Sequence, residues 1–338
     1  GVQRKKALIR KKFPQIPNLV YKDMWGKSSK LLTGYLRSIV AIVIGTLVIV
    51  ELAGRYYGLC DYPLYVSSDR YEYIYAPSQS RHIYRNRVST NRYSMRSGPI
   101  SKTARLILLF TGDSIINGGN NCDQDSLATT KVQKMLSDAL EIEVQVLNVS
   151  AGSWGAENAV EYLKENGLFN ADMIVGVYSS HDVEDHITNA DYVGRDIHYP
   201  VEQKPLAIFK VLERLWGMVS TAGRFVPKNR KVKSENHGFI QLVEFAQSNA
   251  IEIHMYLHVE KAELAAASVD NRGSSIRLYL DKEKVDYIDE IESPNLDFSH
   301  YRDEIHFNDK GQAFLADQLF DYLLPILQSH LKNEQENK

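Results

Sequence analysis

Hydrophobic and polar positions follow a regular order along residues 105–331, and that order predicts alternating strands and helices. Predicted strands occupy residues 106–110, 143–149, 173–178, 252–258 and 285–288. The first and the third are apolar runs typical of strands buried on both faces, and the second alternates before it turns apolar. Stretches with helical spacing lie between and after them, at residues 125–140, 156–166, 237–248, 260–267 and 312–331. Strands that alternate with helices predict a parallel sheet of about five strands in one α/β domain.

The alternation lapses over residues 183–236, which we interpret as an insertion or a lid on that domain. Within this stretch, residues 206–218 show an amphipathic pattern. The basic cluster at residues 228–233 (KNRKVK) fits either a solvated loop or a contact with an anionic ligand or lipid headgroup.

The N-terminal part of the chain has a different pattern, in which basic residues precede a long apolar run. Residues 1–50 carry ten Lys or Arg and a single acid, and residues 38–50 carry no charge. A helix of about 16 apolar residues rises only ~24 Å, less than the ~30 Å hydrocarbon core, so the apolar residues before position 38 are needed as well. We therefore predict a basic cytoplasmic segment at residues 1–30 and a transmembrane helix at residues 31–53; the alternative is a buried helix of a soluble domain.

The excess of basic residues before the apolar run sets the expected orientation. By the positive-inside rule, the N-terminus lies in the cytoplasm, and the domain lies across the cytoplasmic membrane, in the periplasm or outside the cell. A cleaved signal peptide fits less well, because no small-x-small cleavage site follows the apolar run before Arg55. We expect a single-pass anchor.

Composition narrows the class of protein further. Outside residues 1–50, 30 basic residues (40 − 10) stand against 41 acidic ones (42 − 1), a formal charge of −11. An acidic body argues against nucleic acid as a partner. Two cysteines, Cys60 and Cys122, are too few for a disulfide framework, and their pairing stays open. Cys122 follows Ser114 closely enough to be weighed as a second nucleophile, against the reading as an ordinary loop cysteine.

Polar residues gather where the predicted strands end, and ligands bind at the carboxyl ends of parallel strands. The four tips carry Gly112-Asp113-Ser114, residues 148–155, His181-Asp182 and residues 303–306. A serine nucleophile needs a base, a group that holds the base in the right tautomer, and donors for the developing oxyanion. The residues at these strand ends include a candidate for each of these catalytic roles.

For the base, His306 is the strongest candidate partner of Ser114. Asp303 lies three residues earlier, on a loop leading into the last helix, and can fold back onto the imidazole Nδ1. His300 competes with His306 for this role, and the pair of Asp303 and His306 also fits a plain surface pair. His258, at a strand end like the others, is interpreted as structural.

For the oxyanion, the candidate donors are the backbone N–H groups of Ser114 and of Gly152 or Ser153, with a side-chain donor from His181. The neighbouring acids have structural alternatives as caps of the turns that follow them. These acids are Asp113 and Asp182.

In this order, the blocks Gly112-Asp113-Ser114, Asn148-x-x-x-Gly152, His181-Asp182 and Asp303-x-x-His306 resemble the four blocks of the SGNH (GDSL-type) hydrolases. The resemblance spans about residues 105–330, within a predicted domain at residues 105–332. It implies a flavodoxin-like three-layer α/β/α fold, serine esterase or acyltransferase chemistry, and neither metal nor cofactor. It also implies that Ser114 is the nucleophile, that Asp303 and His306 complete the triad, and that the Gly152 region supplies an oxyanion donor.

The third block departs from the family pattern. Where the family usually has Gly-x-Asn-Asp, this chain has Ser179-Ser180-His181-Asp182. His181 takes the place of the asparagine, and a neutral imidazole can donate one N–H only if that tautomer faces the site.

The segment at residues 54–104 is rich in Tyr and Arg, and we interpret it as an extended, partly strand-forming arm, since its aromatic density disfavours a disordered stalk. Its stretch at residues 91–96 (NRYSMR) is similar to membrane-anchored SGNH relatives in bacterial envelope-polysaccharide systems. That similarity implies glycan O-acyl groups as the substrate.

The resulting hypothesis is a membrane-anchored serine esterase or O-acetyltransferase. Its substrate would be an acyl ester, acetyl above all, on a cell-envelope or exopolysaccharide glycan or a small molecule, and a polysaccharide-synthesis complex is a possible partner. Two alternatives stay open: a lipid or thioester hydrolase, and a non-catalytic glycan-binding or assembly subunit whose altered third block reflects lost chemistry.

Overall fold

A computed structural model describes residues 18–188, 191–219 and 236–336; the basic cluster at residues 228–233 lies outside them. The strands are β1 (Tyr65–Ser68), β2 (Glu72–Tyr75), β3 (Ser80–Ile83), β4 (Asn86–Ser89), β5 (Leu106–Gly112), β6 (Val144–Ser150), β7 (Met173–Ser179), β8 (Glu252–His258) and β9 (Tyr287–Asp289). The helices are α1 (Asn18–Tyr56), α2 (Ser114–Asn117), α3 (Ala128–Leu140), α4 (Ala156–Asn166), α5 (Ala207–Val219), α6 (His237–Ser248), α7 (Lys261–Ala266), α8 (Asn271–Glu283) and α9 (Asp309–Glu336).

In the described residues, the main sheet has five parallel strands in the order β6-β5-β7-β8-β9. Numbered within the sheet, this is the flavodoxin-like order 2-1-3-4-5. The predicted parallel sheet and its flavodoxin-like topology are confirmed. In such a sheet the strand order reverses between β5 and β7, and this switch point is where ligands bind.

Strand β5 shows why its apolar run predicts burial on both faces. Leu108 and Phe110 pack in one core cluster with apolar residues of α3 and α9. Ile107 and Leu109 point the other way and pack with residues of β6 and α4. Because alternate side chains of a strand face opposite sides, helices must cover both faces of the sheet, which gives three layers.

Several element boundaries differ from the sequence expectation. Helix α8 was not predicted, because its buried stripe is only Gly273, Ile276 and Leu280 in an otherwise polar stretch. Its start depends on Asp270, whose carboxylate accepts from two backbone N–H groups. Helix α3 begins at Ala128 rather than at residue 125, since a short 3₁₀ turn precedes it.

The tyrosine-rich segment forms two antiparallel hairpins, β1-β2 and β3-β4. Its aromatic side chains belong to the core: Tyr71 and Tyr73 are buried in the same cluster as Leu147 and Trp154. The hydroxyl of Tyr73 donates to the Gly152 carbonyl at 2.7 Å, so this segment contacts the turn that follows β6.

The described chain divides into two units, one ending at Ala53 and one spanning Gly54–Lys338. Within α1, Leu32–Tyr56 is 25 residues long and apolar enough to cross a membrane, and no residue of its most apolar window is buried inside the protein. At 1.5 Å per residue this stretch rises about 37 Å, more than the ~30 Å hydrocarbon core. It fits either a membrane anchor or a signal sequence.

Candidate active site

Ser114 is the first residue of the short helix α2, directly after β5. Asp113 caps this helix by accepting from the Ile115 N–H at 2.8 Å. The glycine before it is required by close packing, since a Cβ on Gly112 would lie 2.4 Å from the carbonyl oxygen of Val177 on β7. The Gly-Asp-Ser sequence therefore lets β5 run tightly beside β7 and turn sharply into a serine.

The structure brings Ser114 and His306 together, although 192 residues separate them in the chain. The Oγ of Ser114 lies 2.8 Å from Nε2 of His306. Both carboxylate oxygens of Asp303 lie 2.9 Å from Nδ1 of the same ring. A carboxylate only accepts hydrogen bonds, so the imidazole carries its proton on Nδ1 and leaves Nε2 free to accept from the serine hydroxyl.

The loop that carries His306 is held by its own backbone. The Oδ1 of Asp303 accepts from the N–H groups of His306 (2.8 Å) and Ile305 (3.1 Å), and the Arg302 N–H donates to the carbonyl of His306 at 2.9 Å. Burial alone would raise the pKa of Asp303, but these N–H donors and His306 lower it overall. Asp303 is therefore ionised at neutral pH, as the tautomer of His306 requires.

The turn after β6 begins at the same edge of the sheet as the serine. Gly112 and Ser150 are paired in the sheet register, so Gly152 begins its turn two residues beyond the end of β6. No atom lies within 4 Å of a Cβ built on Gly152. Asn148 and Asn117 tie β6 to α2, because the Asn148 amide donates to the Ile116 carbonyl and the Asn117 amide to the Ser150 carbonyl, both at 2.9 Å.

His181 is surrounded by carboxylates. Its Nδ1 lies 2.6 Å from the Ser179 hydroxyl and 3.1 Å from Glu260, and its Nε2 lies 3.4 Å from Oδ2 of Asp113. Burial alone would lower the pKa of His181, but Asp113, Glu260 and Asp182 raise it to about 12. The ring is thus a cation at neutral pH, which differs from the neutral donor considered for the sequence.

The hydroxyl of the candidate nucleophile lies close to this cation. Oδ2 of Asp113, the oxygen nearest Nε2 of His181, is also 3.4 Å from Oγ of Ser114. Positive charge beside a serine can stabilise an oxyanion without a direct hydrogen bond, because electrostatic interactions are strong in a partly buried site.

One set of three side chains in the described residues has the spacing of a metal site. Candidate ligand atoms of Asp113, His181 and Asp182 lie within 4.8 Å of one another. Burial and the nearby Asp113 raise the pKa of Asp182 well above its usual range. A metal ligand His must be neutral, whereas the carboxylates at both nitrogens favour the protonated ring. With its ring protonated, His181 supplies positive charge to this cluster.

A second histidine, His258, is buried and supports the loop that carries His306. The sequence did not reveal its charged partner. Nε2 of His258 donates to the carbonyl of Ile305 at 2.8 Å, next to His306. Its Nδ1 lies 2.7 Å from Glu290, at an angle outside hydrogen-bond geometry, and both side chains are fully buried. Burial alone would lower the pKa of His258, but Glu290 raises it overall. Stability from this pairing is complete below pH ~6.5 and declines as the pH rises through the folded-state pKa.

We predict that His258→Ala lowers the free energy of unfolding by about 3–5 kcal/mol, because it leaves the Glu290 carboxylate buried without its cation. Urea denaturation at neutral pH measures this. The matched control is His254→Ala on the same strand, whose carboxylate partner Glu252 is 38% exposed. A His258→Ala loss no larger than the control's would contradict the role of the buried pair.

Arg96 holds the loop that follows Ser114. Its side chain is only 1% exposed and donates to the carbonyls of Asn117, Gly119 (2.6 Å) and Cys122 (2.6 Å). A guanidinium presents five donors in a fixed fork, so one side chain can satisfy several carbonyls at once. Arg96 lies within the stretch whose similarity to membrane-anchored relatives is noted above, and the structure gives it a positioning role.

The structure also shows the surroundings of two residues that the sequence offered as alternatives: Cys122 as a second nucleophile and His300 as the base. Cys60 and Cys122 are free, and burial raises the pKa of the Cys122 thiol to about 11, which leaves little thiolate at neutral pH. His300 is buried, and its Nδ1 lies 3.1 Å from the Asp297 carboxylate. Ser114 is hydrogen-bonded to His306, so the geometry favours His306 as the base.

Comparison with known proteins gives matches among solved structures. No protein-family model matches the sequence, and no curated protein matches it. A member of the lipolytic G-D-S-L family from Veillonella parvula is 11% identical, with a TM-score of 0.38, over 64% of this chain and 97% of that one. The esterase EstA from Pseudoalteromonas is 13% identical (TM-score 0.39; 66% and 98% covered). A variant of an acetyl xylan esterase from Geobacillus stearothermophilus is 14% identical (TM-score 0.37; 63% and 92% covered).

Fold and site together define an α/β protein that presents a serine, an aspartate-bound histidine and a second, cationic histidine at the switch point of a parallel sheet.

Proposed function

We propose that the chain is a serine hydrolase or acyltransferase of the SGNH type that acts on ester bonds. The observation that carries this proposal is the continuous hydrogen-bonded series from Ser114 Oγ through His306 to Asp303, at 2.8 and 2.9 Å. Hydrogen bonds of this length let a histidine take the serine proton as the nucleophile attacks. Position supports the same assignment, since the serine follows the strand at the switch point.

The proposed reaction has two halves. Ser114 Oγ attacks the ester carbonyl carbon while its proton passes to Nε2 of His306, and the alcohol then leaves with that proton. The acyl group is now on Ser114, and water or an acceptor hydroxyl attacks it while its proton passes to His306. The bond from the acyl carbon to Ser114 Oγ then breaks, and His306 returns the proton to Oγ. Asp303 stabilises the imidazolium in both halves. The N–H of Ser114, in the first turn of a helix where such groups lack an intrahelical acceptor, and the N–H of Gly152 are the proposed oxyanion donors.

We assign His181 the role of stabilising the oxyanion as a fixed positive charge. His181→Ala should lower kcat about 10²-fold with little change in KM, since the charge matters most in the transition state. His181→Asn should lose about as much activity, because asparagine supplies an N–H but no positive charge. Steady-state kinetics on variants with unchanged circular dichroism measure this, and equal, wild-type kcat in both variants would reduce His181 to a structural role.

The proposed substrate is an acyl ester, acetyl above all, on a cell-envelope or exopolysaccharide glycan. Support comes from the similarity of residues 91–96 to membrane-anchored SGNH relatives and from the apolar helix near the start of the described chain. Incubating the purified protein with an acetylated oligosaccharide and a second sugar tests the reaction class. Free acetate indicates a hydrolase, and acetate on the second sugar indicates a transferase.

A non-catalytic glycan-binding subunit is the second candidate function. The departure of the third block from the family pattern favours it, because His181 stands where the family has asparagine. An active-site phosphonate separates the two: covalent labelling of Ser114 supports the enzyme, and an unlabelled but folded protein supports the binding subunit.

For localisation, we propose that Leu32–Tyr56 is an uncleaved single-pass anchor with the N-terminus in the cytoplasm. The ten basic residues within residues 1–50 support this orientation. The catalytic domain would then lie in the periplasm or outside the cell, where envelope glycans are modified.

A further inference from the structure

Helix α5 has its amphipathic faces reversed. A surface helix normally turns its apolar face to the protein, but in the described part of α5 the buried residues are the small Ala207 and the charged Lys210, 6% exposed. Its ammonium group lies 2.6 Å from Glu213 and 4.8 Å from the centre of the Tyr62 ring. The exposed side is apolar and carries four large residues that are 47–67% exposed: Phe209, Leu212, Leu215 and Trp216.

Helical spacing places these four side chains on one face. Residues three, four and seven apart lie on the same side of a helix, and the four positions follow that spacing. Arg214 turns the other way, and its guanidinium lies 5.0 Å over the ring of Tyr84. The exposed face is thus an apolar strip that spans eight residues of the helix, Phe209 to Trp216, or ~12 Å.

The beginning of α5 adjoins the end of the apolar stretch Leu32–Tyr56. A Cβ on Gly54 would lie 2.5 Å from the Ala207 side chain, so glycine allows a close backbone approach there. The Arg55 guanidinium donates to the carbonyl of Pro205 at 2.8 Å. If a bilayer surrounds the apolar stretch, the bilayer surface lies near Gly54 and Arg55, which contact the residues where α5 begins.

Two aromatic residues mark the same level. Tyr56 and Tyr57 are 62% and 51% exposed, and tyrosines are enriched where a transmembrane helix leaves the hydrocarbon core. An exposed helix face with Trp, Phe and Leu is typical of helices that lie in the membrane interface.

We propose that α5 lies flat in the outer interface of the membrane, with Phe209, Leu212, Leu215 and Trp216 in contact with lipid. This inference rests on the proposed membrane anchor and goes beyond it. One helix lets a tethered domain swing freely, whereas a second contact fixes its orientation. Because α5 belongs to the same unit as Ser114, the membrane contact sets the direction in which the active site faces.

The test uses the fluorescence of Trp216 in the full chain, reconstituted into phosphatidylcholine vesicles with or without bromine on the acyl chains. Subtracting the spectrum of Trp216→Phe from that of the wild type isolates its emission from Trp25 and Trp154. We expect brominated lipid to remove most of this emission and aqueous iodide to remove little of it. The matched control is Leu278→Trp in the Trp216→Phe background, since Leu278 is an equally exposed apolar residue (71%) on α8. Its emission should respond to iodide and not to bromine.

Three other outcomes of this experiment would contradict the inference. Quenching of Trp216 by iodide alone means that the strip faces water. Shielding from both quenchers, together with a dimer in cross-linking, means that a second copy covers it. Release of the protein from vesicles by carbonate means that Leu32–Tyr56 does not span, which overturns the anchor and this inference together. None of these readouts depends on catalysis, so the proposed enzymatic function stands or falls separately.

Discussion

Replacing Ser114 with alanine should abolish both covalent labelling by an activated phosphonate and turnover of p-nitrophenyl acetate. The physical reason is the 2.8 Å contact with His306, which makes this hydroxyl the one placed to lose its proton during attack. We expect a loss on the order of 10⁴-fold or more in kcat, the range seen when a triad nucleophile is removed. Mass spectrometry of the labelled peptide identifies the modified residue.

The control for this experiment is a pair of histidine variants. His306→Ala should be nearly as damaging as the serine change, because the hydroxyl then lacks a base. His300→Ala, in the same loop region, should leave labelling of Ser114 intact, since the Nδ1 of His300 faces Asp297. Undiminished labelling in His306→Ala would mean that the serine is merely exposed and that the base is another residue.

The fold could be predicted from the sequence because buried parallel strands have an unambiguous pattern. Strands β5, β6 and β7 are buried at all seven positions. The apolar runs of β5 and β7 are easily recognised, whereas β6 includes the polar residues Gln145 and Asn148. Helix α8 was missed because only a narrow stripe of it is buried, and its polar residues look like a loop. Element type is therefore predictable where burial is extensive, and less so at the periphery of the domain.

The candidate site was only partly predictable, because its residues are far apart in the sequence and their contacts depend on the fold. The spacing Asp-x-x-His occurs twice, at Asp297 with His300 and at Asp303 with His306, and both pairs are in contact. Only the three-dimensional fold determines which pair reaches Ser114. The triad assignment stays a prediction; what the structure adds is that His306 lies 2.8 Å from Ser114, which follows the end of β5.

The charge states of the buried histidines could not be predicted from the sequence. His181 could be considered as a donor from its position after β7, but its protonation depends on Glu260, which is 79 residues away. The buried pair of His258 and Glu290 is another example, since neither residue has a local pattern that indicates the other. Buried charges are determined by tertiary neighbours, so their partners appear only once the chain is folded.

The Asp303→Asn variant should lose up to ~10⁴-fold in kcat while keeping its fold. The carboxylate has two tasks: Oδ1 accepts from the N–H groups of Ile305 and His306, and both oxygens lie 2.9 Å from Nδ1 of the imidazole. In the variant, the amide oxygen must stay on the two backbone donors, which turns the NH₂ group toward Nδ1. The ring then carries its proton on Nε2 and cannot accept the proton of Ser114.

The wrong imidazole tautomer and a disrupted loop would give different results in the Asp303→Asn variant. Asp303→Asn should be labelled at Ser114 by the phosphonate, slowly, with unchanged circular dichroism and a KM close to that of the wild type. Asp297→Asn is the matched control, because it makes the same change in the neighbouring Asp-x-x-His pair, and it should retain wild-type kcat. If Asp303→Asn keeps activity within about ten-fold of the wild type, the triad effect of ~10⁴-fold is absent. Asp303 then only shapes the backbone of the loop, and His306 works without an orienting carboxylate.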